Sequence, residues 1–439
     1  MSSTNDPHLS LPPGPDSSHT INTDEETFAA IPGWLKQYGQ IVRVSSDKRA
    51  SMSYLVNNHE AVRHILVKNH ANYVKGPGFE RVKMLLGNGI IVSDGAFWRR
   101  QRRMIQPAFG KKSIAKSCDE VYRCNRALQK EWRAKAAAGE SIDITLEANQ
   151  LSLQVILRVI FSDDVEKFQD YHGSDPFAFL CQDTTRDLKV VLKFRDLIKH
   201  FQTLIDWRRE TQPERHDFLD FFMRAQDKDT DQHMSDKELV DELMTAIIAG
   251  HETSAITLNW SWYFLATHAD IEAQTLSEIN SVLPSSGRPA FEQLLQLDFT
   301  KQVVSEALRL YPPVWIFSRT AINDDKLGEW DVPAGTDIFI SPYYMHRDSE
   351  YWPDPQDYRP ERFSRDNEKQ RAKQIYIPFS SGPRRCIGDF FAIVESQLHF
   401  GMMLPEFKMT LVEEPSLELE PHINLRIKNG LRMKLETRK

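Results

Sequence analysis

The chain has 439 residues, of which 41% are apolar and 27% charged, and its net charge is −7. These values fit a globular protein with a substantial core and give no sign of a nucleic-acid or membrane-surface partner. Four cysteines, Cys118, Cys124, Cys181 and Cys386, are too sparse for a disulfide scaffold.

The N-terminus, "MSSTNDPHLSLPPGP", has no basic start, apolar run or cleavage-like site, so it does not read as a secretory signal. No segment approaches the roughly 18 uninterrupted apolar residues of a membrane span. The expectation is a soluble protein of a reducing cytoplasm. Residues 1–24, rich in Pro, Ser, Asp and Thr, read as a flexible arm. Short strands are expected at 41–46 and 52–56. "AFWRRQRRMIQPAF" is a basic helical segment stopped by Pro107, and "YRCNRALQKEWRAKAAAG" a helix ending at Gly139. Residues 150–161 are apolar enough for a buried helix.

The polar run 224–234 is a loop. After it, Ser235 and Glu238 fit a capping box that opens a long helix to about His268, on the order of 50 Å long. Its middle is apolar on nearly every face, which predicts a central buried helix. A second loop spans 283–290, and a strand is expected at 336–342. The last stretch, "INLRIKNGLRMKLE", reads as a hairpin turning at Asn429-Gly430. The class is mainly α with small β-sheets. Strands at both chain ends argue for one domain over 25–439.

The segment "FSSGPRRCIG" (379–388) sets Cys386 between arginines and glycines, just before the amphipathic pattern "DFFAIVESQLHFGMML". A helix N-terminus and the neighbouring Arg384 and Arg385 both favour thiolate over thiol. Such a thiolate can serve as nucleophile, redox sensor or metal ligand, and the chemistry alone does not choose among them. Two further groupings stand out. "EALR" places Glu306 and Arg309 on one helical face ahead of "YPP". "AGHET" puts Glu252 and Thr253 in an otherwise apolar helix, where polar groups need a reason. Gly250 there leaves room for a flat ligand or a bent backbone. A zinc-protease reading fails, because H-E-x-x-H needs a histidine where Ala255 stands. A bond from the Thr253 hydroxyl back to the preceding turn is the plain structural alternative.

Phe379, Gly382, Arg384, Cys386 and Gly388 together resemble the haem-binding signature of the cytochrome P-450 family. That resemblance is supported by Glu306–Arg309 with Arg362 of "YRPERF", by "AGHET", by Trp98 and Arg102 of "WRRQR", and by "LPPGP". It spans about residues 25–435. It implies a single large cytochrome P-450 fold with a long central helix over haem b (iron protoporphyrin IX) and Cys386 as axial iron ligand. It further implies propionate contacts from Trp98, Arg102, Arg319 and Arg384, a structural Glu306–Arg309–Arg362 network, and proton delivery to dioxygen through Glu252 and Thr253. The activity implied is a monooxygenase. Peroxide-driven, isomerising or dehydrating relatives, which usually lack the acid–threonine pair, and a non-catalytic haem-thiolate sensor are the alternatives.

By the same analogy the pocket is lined by 76–92, 170–205, Ala249, Val314 to Ile316 and the chain near Ile423. It would take a small apolar substrate, fatty acid-like or terpenoid. Electrons are expected from a separate ferredoxin or flavodoxin with its NAD(P)H reductase. That partner would dock on Arg99, Arg100, Arg103, Lys111, Lys112 and Arg385.

Overall fold

The computed structural model describes residues 9–170, 176–181, 188–371, 373–413 and 417–438. Its organising element is a central helix, Asp236–Thr267. The capping box expected at its start is present: Ser235 N–H donates to Glu238 Oε2 at 2.7 Å, and Glu238 N–H donates to Ser235 Oγ at 3.3 Å. Each satisfies a backbone donor that the first turn leaves free. The consecutive residues from Ser254 to Trp262, more than two full turns, are all buried, so the helix is enclosed by neighbours on every side there.

The helix Ile144–Phe161 runs along one side of it. Among the described residues, the stretch Ile144–Phe168 alone is long and apolar enough to cross a membrane, and 67% of it is buried inside the fold. Gly250 has a packing role against this neighbour. A β-carbon there would stand 2.9 Å from Ile156 Cδ1. The space expected for a flat ligand is therefore filled by the adjacent helix.

A helix bearing the cysteine loop's continuation, Asp389–Met403, and a long helix, Lys111–Ala137, complete this layer. Their contact is specified by buried polar bonds as well as apolar packing. Gln129 Nε2 donates to Met402 O at 2.9 Å, Trp262 Nε1 donates to His399 Nε2 at 2.9 Å, and His399 Nδ1 faces Asn125 Oδ1 at 2.7 Å. Burial pushes His399 down to about 3, so the imidazole is neutral and can accept the indole N–H.

Beside the helices lies a five-stranded sheet in the order Ile41–Val44, Ser53–Val56, Asp337–Ile340, Phe317–Ala321, Tyr73–Lys75. Its single parallel pairing sets Ser53 against Asp337. Residues 9–24, expected as a flexible arm, are instead tied to this side of the molecule. Arg43 N–H donates to Pro13 O, His19 N–H to Ser45 O, and Asp331 N–H to Ser10 O, at 2.7–3.0 Å. Ile21 is fully buried in the same layer. The prolines hold this stretch extended, where its carbonyls meet strand donors.

The expected C-terminal hairpin is also corrected. Leu425–Ile427 pairs with Leu419–Pro421, whereas Arg432–Thr437 pairs with Phe407–Leu411 and Ser141–Asp143. Asn429-Gly430 therefore carries the chain from one sheet to another. Gly430 takes φ 69 with the Asp143 carboxylate packed against it, and that close approach excludes a side chain.

The helix Asp298–Leu310 carries a fully buried ion pair. Arg309 Nε and a terminal nitrogen donate to the two Glu306 oxygens at 2.6 and 2.8 Å. Arg362 Nε adds a bond of 3.2 Å and Arg359 N–H one of 2.9 Å to Glu306 Oε1. The remaining Arg309 donors reach His346 O, Pro355 O and Asp357 O. One helix thereby fixes the irregular chain 346–362. Removing one partner leaves an uncompensated buried charge, which costs about 3–5 kcal/mol. Glu306→Leu should therefore lower unfolding free energy by about that amount in denaturant titration. A loss below about 1 kcal/mol would show that the network does not hold the fold.

Candidate active site

The cysteine loop is shaped by close backbone contacts. Cys386 N–H donates to Phe379 O at 2.9 Å, which folds the segment into a tight bulge. Gly382 adopts φ 69, and a β-carbon there would collide with the Leu66 carbonyl. That glycine is required by space. Gly388 is different: its φ is −94 and a β-carbon would meet only ordinary contact with Phe109. Its role is its backbone N–H, directed at Cys386.

Cys386 stands immediately before Asp389–Met403. Burial, the largest influence, raises its thiol above the ordinary value, although the Gly388 N–H, Arg102 and Arg385 pull it the other way. The arginines favour the thiolate as expected, but burial opposes them more strongly. Desolvation wins, and a thiolate there requires a further cation at the sulfur. The side chain is nonetheless exposed at its surface.

Near this loop the chain collects positive charge, buried at Arg319 and part-buried at Lys75 and Arg384. Arg384 donates to Ser93 O at 2.6 Å and to Asp94, and its guanidinium lies 3.9 Å from the centre of the Trp98 ring. Arg319, on strand Phe317–Ala321, is buried; desolvation first, then repulsion from Arg384, lowers it to about 10. Lys75, which the motif reading missed, is depressed by burial and by Arg319 and Arg384. Asp94 is the one carboxylate drawn into these electrostatic interactions with Lys75, Arg319 and Arg384 among the described residues. Arg102 is closer to the cysteine, bonded to Gln106 at 3.4 Å and interacting with Cys386 and Asp389. Trp98, Arg102, Arg319 and Arg384 are thus brought together around the loop with Lys75. Lys75 has no sequence signal beyond its place before "GPGFE".

These residues fit a flat apolar group that carries two carboxylates and a metal. Buried cations in excess of carboxylate call for anionic partners. A thiol held up by burial calls for a metal that displaces its proton.

On the central helix, Thr253 Oγ1 donates to Ala249 O at 2.7 Å, the back-bond of the plain alternative. Glu252 is ion-paired with Arg426, a partner the sequence did not indicate. The adjacent His251 is buried, faces Asn149 O at 3.1 Å, and is lowered by desolvation to about 4. One residue past Thr253, Ser254 Oγ donates to Glu395 Oε2 at 2.9 Å, joining the central helix to the cysteine helix.

Of the expected pocket residues, Ala249 and Val314 are half-buried. Ile316 packs into the sheet-side core with Trp315 and Phe339, and Ile423 is 63% exposed. Part of 170–205 lies outside the described residues. The expected docking surface is divided. Arg100 is bound to Glu238 at 2.7 Å and Arg103 to Asp227 and Asp229. Arg385 pairs with Asp389. Arg99, Lys111 and Lys112 are exposed.

The family model for cytochrome P450 matches residues 20–433. Cyclooctatin synthase of Streptomyces melanosporofaciens is 33% identical over 89% of this chain and 87% of its own length. Cyclooctat-9-en-7-ol 5-monooxygenase of the same organism is 32% identical over 83% and 81%. Pentalenene oxygenase of Streptomyces avermitilis is 29% identical over 88% and 87%. The crystal structure of the cytochrome P450DA haem domain superposes with a TM-score of 0.88 at 21% identity, covering 98% of this chain and 97% of that one. The chain belongs to the cytochrome P450 family and is a haem-dependent oxidoreductase.

Glu395 gives a test of the helix junction behind the site. Burial raises it to about 7, against the opposing Ser254 bond. The native state therefore holds its proton more tightly than the unfolded chain, and that contribution is lost as pH rises from the ordinary carboxyl range through about 7. Glu395→Gln lacks this loss. Its melting temperature relative to the parent should rise between about pH 5 and pH 7.5 in a thermal-shift series. A constant offset would show that Glu395 is ionised throughout.

Proposed function

We propose that this protein is a monooxygenase with haem b ligated by the Cys386 thiolate. It inserts one oxygen atom into an apolar, terpenoid-like or fatty acid-like small molecule. The observation that carries this reading is the pairing of an accessible cysteine just before a helix with a cluster of cations, one buried and two part-buried, that exceed their shared carboxylate. Thiolate-ligated haem supplies reductive dioxygen activation, in which two electrons and two protons accompany insertion of one oxygen and release of the other as water.

The chain's own residues bind, orient and deliver protons. Arg319, Arg384, Lys75 and Trp98 would hold the propionates, with Arg102 between them and the cysteine loop. Arginine suits this because its planar fork bonds a carboxylate through two donors. Thr253 would exchange its bond to Ala249 O for one to a polar group in the site. Glu252 would pass protons inward once Arg426 yields the carboxylate. The half-buried Ala249 and Val314 are the better candidates for substrate contact, and Ile316 supports them from the core. The terpenoid preference is supported by the similarity to cyclooctatin synthase and pentalenene oxygenase.

Electrons would come from a separate acidic ferredoxin or flavodoxin and its NAD(P)H reductase. Arg99, Lys111 and Lys112 are the exposed contacts, and Arg100 and Arg103 serve the fold through their ion pairs. Lys112→Glu should slow the first reduction about tenfold at low ionic strength, with the difference shrinking in salt. Stopped-flow rates equal to the parent's at low salt would remove this surface from the account.

Thr253→Ala tests the proton role. It should keep ligand affinity while product per NAD(P)H falls about tenfold or more and hydrogen peroxide rises. Unchanged coupling would leave the hydroxyl as a helix back-bond only. Loss of ligand binding would assign it to the pocket wall.

A further inference from the structure

We propose that Asp241, Glu242 and Thr245 form a clamp that fixes loop 87–92 on the central helix, and that this clamp sets the apolar wall facing a bound ligand. The inference rests on the monooxygenase reading for the identity of the site and deepens it by naming what positions its wall.

The clamp is made of backbone contacts. Asn88 N–H donates to Asp241 Oδ2 at 2.9 Å, and Ile90 N–H donates to Glu242 Oε2 at 3.1 Å. Two glycines admit this approach. Gly87 adopts φ 77, and a β-carbon there would fall on the Asp241 carboxylate. A β-carbon on Gly89 would fall on Thr245 Oγ1. Lys237 Nζ holds the same Asp241 oxygen at 2.8 Å, which steadies the acceptor. Consecutive acids thus receive alternate amides of an irregular loop. Glu242 and Thr245 are more than nine-tenths buried, and the Asp241 side chain is 13% exposed.

Placement of the loop follows from its ends. Lys75 N–H donates to Asp94 Oδ2 at 3.2 Å, which brings the two ends of segment 76–93 together. Both ends belong to the cationic cluster around the cysteine loop. The middle of the segment rests on the central helix at Thr245, and Thr245, Ala249 and Thr253 recur every four residues along one face. The loop therefore spans from the cationic cluster to the helix face that carries Thr253. Val82, Ile90 and Ile91 are partly buried against the core, whereas Met84 is 78% exposed. The inward side of the segment is apolar, so the ligand it would select has an apolar body.

Thr245 Oγ1 and Glu242 Oε1 are buried without a hydrogen-bond partner. If the Ile90 amide bond is lost, that amide and both Glu242 oxygens are left without a hydrogen bond. Such a contact is switched as a unit rather than weakened by degrees.

The test uses the haem-loaded protein with Glu242→Leu, Glu242→Gln and Gly89→Ala. Glutamine retains a carbonyl for the Ile90 amide and serves as the conservative rescue. The probes are 1-methylimidazole and 1-dodecylimidazole, which share an iron-binding head and differ in the apolar tail. Loop amides are followed by hydrogen exchange. In the leucine and alanine variants, exchange over 87–92 should accelerate and dodecyl affinity should fall about tenfold, the size of one lost hydrogen bond, with methyl affinity unchanged. Glutamine should behave as the parent.

Faster exchange with an unchanged dodecyl-to-methyl ratio would overturn the selective role and leave a structural tie. Unchanged exchange would overturn the clamp itself. Loss of the thiolate spectrum in the parent would instead defeat the monooxygenase reading. Should Glu242→Leu fail to retain haem, Gly89→Ala reads the same contact with both acids in place.

Discussion

Positive charge drawn out of water without enough negative charge beside it, buried at Arg319 and part-buried at Lys75 and Arg384, is the constraint around which this molecule is arranged. Lys75, Arg319 and Arg384 are held close together, and Asp94 is the carboxylate they share among the described residues. Such an arrangement is costly in an apolar interior unless an anionic partner completes it. The three come from distant parts of the chain: one from an edge strand, one from an inner strand of the same sheet, and one from the cysteine loop. The sheet and the loop are therefore organised around a shared electrostatic need. The Cys386 thiol adds a second need, since burial opposes the thiolate that its backbone neighbours favour. One group that brings both carboxylates and a metal cation answers both.

Rigid supports hold this cluster from two directions. Behind it, the Glu306–Arg309–Arg362 network locks the irregular chain 346–362 onto a helix with every guanidinium donor of Arg309 directed at a fixed acceptor. Across from it, the central helix carries Glu252 and Thr253 and is joined to the cysteine helix through Ser254 and Glu395. The same central helix holds loop 87–92 about three turns earlier. The distal groups, the cysteine and the loop thus share one scaffold.

Much of this was legible in the sequence because it is local. The capping box, the buried central helix and the glycine-rich cysteine loop each lie within a few consecutive residues, where spacing translates directly into geometry. What was not legible depends on partners far apart in the chain. Glu252 meets Arg426 across 174 positions, and Lys75 joins Arg319 through sheet pairing. Gly250 read as room for a ligand, but the neighbouring Ile156 fills it. Asn429-Gly430 carried a sound turn signal, yet tertiary pairing sent its two flanking strands to different sheets. The basic segment near Arg100 looked like a free surface because its acidic partners, Asp227 and Glu238, lie in and beyond a loop with no periodic signal.

The central claim is that Cys386 holds haem iron as a thiolate beside this cationic cluster. The most direct measurement is the optical spectrum of the purified protein, reduced under carbon monoxide, beside that of Cys386→His. The account predicts a strongly red-shifted Soret band in the parent and its loss, with haem retained, in the histidine variant. An unshifted band from well-folded, haem-loaded parent protein, or the same spectrum from both, would contradict it.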